Sequence, residues 1–145
     1  DTEEHHPELF WYGIHGVESL FTVMGTGCET VRRGTQTNGM VEVTGIWSGG
    51  RKGIYREEKA KVYSQNYRGT ARGDKGEAKV GSFDGYLPLA VEIMKFFQTG
   101  IAPVKPEETI ELVAFMAAAQ ESKDKGGALV KVSDVMEKAR AKSQR

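Results

Sequence analysis

Proton transfer near neutral pH calls for a histidine held in one orientation, and the segment WYGIHGVESLFTVMG, residues 11–25, offers one in His15. Phe10, Ile14, Val17, Phe21 and Met24 recur at steps of four, three, four and three. That spacing draws an apolar stripe down one side of a helix, and His15 lies off it. Trp11, four residues earlier, and Glu18, three residues later, fall on the histidine's side within side-chain reach. Glu18 can fix the tautomer of the imidazole, or it can be an ordinary solvated carboxylate. Trp11 and Tyr12 can line a carbohydrate pocket, because an aromatic face stacks on a sugar, or they can anchor the helix by packing. Gly13 and Gly16 flank the imidazole, and each costs a helix on the order of 1 kcal/mol relative to alanine. The pair predicts that something approaches the helix closely there. Taken alone, His15 reads either as a structural histidine or as a proton-transfer group.

The other reactive residue types say less. His5 and His6, next to glutamates, are metal-ligand types, but adjacent histidines in a short charged lead-in are read as binding nothing, so no metal is expected. Arg32, Arg33 and Arg51 could each grip a carboxylate or phosphate with two parallel hydrogen bonds. On strands and turns they read as surface charge. Cys28, the single cysteine, excludes an intramolecular disulfide, has no motif for nucleophilic work and is expected to be buried as a small apolar residue.

A length of 145 residues, 39% of them hydrophobic, suits one domain over residues 1–145 with a real core. Twenty Lys and Arg balance twenty Asp and Glu, which leaves no net field for a polyanion, so no nucleic-acid partner is expected. No apolar run approaches the roughly 20 residues that span a bilayer, and no membrane partner is expected either. The opening DTEEHHPELF lacks the basic start and apolar segment of a signal peptide and does not begin with Met. A piece cut from a longer protein is the expectation.

The elements that must position His15 follow from period and punctuation. A first helix is predicted from Pro7 or Glu8 to Gly25. Short β-branched and aromatic segments at 28–33, 40–47, 52–63 and 78–83 read as antiparallel strands, with turn chemistry at 37–39 and 48–51. The polar, glycine-rich stretch 67–77 reads as a long hairpin connection or excursion. Helical period returns at Leu87 and stops at Gly100. A third helix is predicted from Pro106 to about Lys123, and a fourth with Ser133 as its N-cap. The fold class expected is α+β, an open, mostly antiparallel sheet with helices on one face. In residues 40–47, Val41, Val43, Gly45 and Trp47 point one way and Met40, Thr44 and Ile46 the other. Helices can cover only one of these faces. A homo-oligomer joined sheet face to sheet face is therefore expected.

Gly13, Ile14 and His15, with Glu18 three residues on and Gly25 closing the helix, resemble the helix that opens the C-terminal domain of the glucose-fructose oxidoreductase, inositol dehydrogenase and rhizopine-catabolism family, Gfo/Idh/MocA. Residues 96–139, with Thr99–Gly100, Pro103–Val104 and the alanine-rich helix ending in Glu121–Ser122, are similar to the family's closing helix pair. The resemblance implies the substrate-binding and oligomerisation domain of an NAD- or NADP-dependent oxidoreductase acting on a sugar, cyclitol or related polyol. It implies that His15 takes the hydroxyl proton, with Trp11, Tyr12 and Glu18 binding or orienting the substrate. It also implies that the cofactor is held mainly by a separate N-terminal Rossmann domain, since no G-x-G-x-x-G turn and no Glu-Lys-Pro motif occur here. Many sugar-oxidising members carry an aspartate where this chain has Trp11. That departure leaves NAD-dependent glycoside cleavage as an alternative, and a non-catalytic oligomerisation module, with the sheet as an assembly surface and His15 idle, is the rival reading.

Overall fold

The computed structural model describes residues 9–34, 40–57, 68–81 and 85–144. A wide π-type turn, Leu9–Gly13, leads into helix α1, Ile14–Met24, and the backbone of Trp11 leaves the helical path there (φ −105°, ψ −111°). The expected start at Pro7 or Glu8 lies outside the described residues, among which regular α-helix starts at Ile14. It ends at Gly25, whose φ of 68° a side chain would strain. The stripe packs as its spacing predicts, with Val17 and Phe21 fully enclosed and Phe10, Ile14 and Met24 against the same core.

Strands β1, Cys28–Arg33, β2, Val41–Trp47, and β3, Lys52–Glu57, follow. The expected turn at 37–39, the expected strand beyond 57 and residues 82–83 lie outside the described residues. The 67–77 stretch differs from expectation. It holds strand β4, Gly69–Gly73, paired across a two-residue turn with β5, Gly76–Val80, in a sheet of their own. Its residues have low strand propensity, and the ladder is held by the turn, by Gly76 at φ 125° and by an Arg72–Glu77 ion pair across the strands. Next come α2, Leu87–Thr99, and α3, Pro106–Asp124, then a two-residue strand β6, Val130–Lys131, and α4, Val132–Ser143. Lys131, not Ser133, is the N-cap of α4, because the helix leaves directly from β6. Ser133 instead donates its hydroxyl to the Asp134 carboxylate at 3.2 Å.

The architecture is α+β. Strands order β3-β2-β1-β6, all antiparallel, with α1 against β3, α3 against β1, and the two helices against each other. Val41, Val43, Gly45 and Trp47 face these helices. Trp47 lies at the centre, its ring 5.5 Å from that of Phe21 and 5.9 Å from that of Phe115. It can lie flat because Gly45 and Gly53, paired across β2 and β3, have no side chain; a Cβ on either would stand within 2.8 Å of the indole. The indole N–H donates to the Gly25 carbonyl at 2.8 Å, which ties the end of α1 to the sheet.

Two polar clamps fix the frame. The Glu111 carboxylate accepts from the backbone N–H groups of Gly27 and Cys28 at 2.7 and 2.6 Å, pinning α3 to the corner between α1 and β1. The buried Ser122 hydroxyl accepts from the Arg33 N–H and donates to the Ala128 carbonyl. The outward sheet face is more polar than expected: Ile46 and Ile54 stand among Thr44, Lys52 and a Glu42–Arg56 ion pair at 2.8 Å. Helix α2 differs more, for none of its residues is buried. No described helix is long and apolar enough to cross a membrane.

Candidate functional site

Once the apolar stripe of α1 turns inward, the opposite side must carry His15 to the surface. Side-chain exposures of 50% for His15 and 54% for Glu18 place both there. The imidazole Nδ1 lies 3.1 Å from Glu18 Oε2, a contact that helical spacing of three allows. Trp11 and Tyr12 are exposed beside them. The Trp11 and Tyr12 rings meet edge to face at 5.9 Å, and the Tyr12 ring lies 6.2 Å from the imidazole, tilted by 58°. All four predicted site residues thus form one continuous surface row. The row runs Trp11, Tyr12, His15, Glu18. The regular i, i+4 geometry assumed for Trp11 is replaced by the wide turn.

The close approach predicted by the glycines has a definite partner. Gly16 lies over the ring of Tyr55 on β3, so that a Cβ there would stand 2.5 Å from Tyr55 Cε2. The nearly buried ring is held in turn by its hydroxyl, which donates to Glu57 at 2.9 Å. Gly16 therefore serves the seating of α1 on the sheet, one residue from the imidazole. Tyr55 escaped the sequence reading, although a glycine inside an otherwise regular helix pattern was its signal. Ser19 and Thr22 donate hydroxyls to the carbonyls of His15 and Glu18, back-bonding the same exposed turns.

The remaining candidates are structural. Arg51 donates to the Met24 carbonyl at 2.8 Å and so caps the end of α1. Arg32 donates to the Gly127 carbonyl. Arg33 is buried, contrary to the expectation of surface charge, because β6 and the end of α3 enclose the end of β1. Cys28 is buried as expected, and burial, helped by the Glu111 charge, pushes its thiol up to about 12. His5 and His6 lie outside the described residues, among which no group of three His, Cys, Asp or Glu side chains could hold a metal. Among the described strands, β2 runs into a three-residue 3-10 turn, Ser48–Gly50, that leads straight on to β3, and β6 runs into α4 through Val130, Lys131 and Val132, with no glycine at that helix start.

Set against family models, curated proteins and solved structures, the chain matches none of them.

Proposed function

We propose that the chain is the C-terminal, substrate-binding domain of a Gfo/Idh/MocA-like NAD(P)-dependent oxidoreductase, acting on a carbohydrate-like small molecule. The observation that carries this reading is the exposed His15–Glu18 pair, with Nδ1 3.1 Å from the carboxylate and aromatic side chains beside it. When Nδ1–H donates to Glu18, Nε2 is the ring nitrogen that carries the lone pair. Nε2 then takes the proton of a substrate hydroxyl while the carboxylate steadies the imidazolium that forms. Trp11 and Tyr12 supply apolar faces for a sugar ring.

The sequence carries no G-x-G-x-x-G turn, which supports assigning this chain the proton and a separate N-terminal domain the nucleotide. Assay of the protein encoded by the whole gene, with NAD and NADP against a panel of sugars, cyclitols and glycosides, tests the reading. Reduced nicotinamide formed with a polyol substrate supports it. Nucleotide binding that fails for both forms would contradict it.

A further inference from the structure

We propose that the outward face of the four-stranded sheet docks an acidic protein surface with an apolar centre. The proposal stands apart from the role of His15. Residues directly opposite one another in an antiparallel ladder share a face, so the register assembles this one. Lys131, Thr30, Ile46 and Lys52 form one row across β6, β1, β2 and β3. Arg32, Thr44 and Ile54 form the next, and Glu42 with Arg56 the last. The two isoleucines and two threonines therefore occupy the middle, and the four cations, all exposed, stand around them.

Charge is segregated here. Four cations against one carboxylate give the face an excess of three positive charges, while the chain as a whole balances 20 against 20. Glu42 is spent on Arg56, at 2.8 Å. Arg32 donates its Nε–H to a carbonyl, that of Gly127, and among the described residues neither it nor Lys52 nor Lys131 meets a carboxylate. An apolar centre inside a charged rim is the anatomy of a protein interface, and the sign of this rim makes the complementary surface acidic. A second copy would bring the same cations against these, so charge opposes the sheet-to-sheet pairing expected from residues 40–47. Single-stranded nucleic acid binds on aromatic side chains that stack its bases, and the three rows contain no aromatic residue.

Binding of two acidic peptides to the 145-residue chain decides it. One is poly-L-glutamate, and the other carries the same charge with leucines set between the glutamates. Both should bind at low salt, the leucine-bearing peptide more tightly, and both should weaken about tenfold or more as salt screens the rim. Arg32→Glu combined with Lys52→Glu should cost about tenfold or more in affinity with circular dichroism unchanged, because both side chains are exposed. Ile54→Ala should erase the advantage of the leucines. Arg140→Glu combined with Lys142→Glu, a matched reversal on α4, should leave binding as it was. Failure of both peptides to bind, a loss that follows the α4 reversal instead, a single-stranded oligonucleotide bound more tightly than either peptide, or a wild-type dimer that Ile54→Asp dissociates would each overturn the proposal.

Discussion

At Gly16 two residue-scale effects oppose each other. Alanine there would gain on the order of 1 kcal/mol of helix propensity, yet its Cβ would stand 2.5 Å from a Tyr55 ring anchored through Glu57. Overpacking of an enclosed site costs about 1–3 kcal/mol, so the clash wins. Gly16→Ala should lower the denaturant midpoint by the equivalent of about 1 kcal/mol and shift α1, and with it His15, outward from β3. Cys28 makes a different point. Its thiol is raised from 9.0 to about 12 by burial first and the Glu111 carboxylate second. Because the folded chain favours the neutral thiol, that contribution is fully present below about 9 and is lost as pH rises from 9 toward 12. Unfolding curves followed upward from pH ~8 should therefore show an alkaline loss that Cys28→Ala makes smaller. In the native chain near neutrality the thiol should resist alkylation until denaturant is added.

Among the elements, the corner between α1 and β1 is the joint that holds the site in place. Glu111 on α3 receives two backbone N–H groups there, and hydrogen bonds to a charged acceptor contribute about 1.5–3 kcal/mol. Glu111→Ala should destabilise the chain by about 2 kcal/mol in chemical denaturation and, by removing a negative charge, ease Cys28 ionisation. At the other end of α3, Lys125 and Lys138 hold the Glu121 carboxyl below its usual range and link α3 to α4. What the sequence made legible tracks what is local. The stripe of α1, its stop at Gly25, β1, the strand face of Val41, Val43 and Trp47, and the ends of α2 and α3 all follow from period and glycine placement. The misses are tertiary. Two residues become β6 only because β1 offers an edge, β4 and β5 are glycine-rich strands made by their turn, and Arg33 is buried by what folds around it. The candidate row was legible through helical spacing, whereas Tyr55 behind it needed the sheet.

For the molecule as a whole, two exposed surfaces stand apart: the row of Trp11, Tyr12, His15 and Glu18, and the apolar side of α2 with Leu87, Met94 and Phe97. They lie on different elements, so a variant on one leaves the other intact. In the function proposed for the chain, His15, steadied by Glu18, moves a proton for a dehydrogenase. Turnover of the protein encoded by the whole gene, wild type against His15→Ala, tests it most directly. A fall of about 100-fold or more is expected, the scale of a lost general acid or base, with the unfolding midpoint unchanged because His15 is exposed. Turnover within a few-fold of wild type would contradict it.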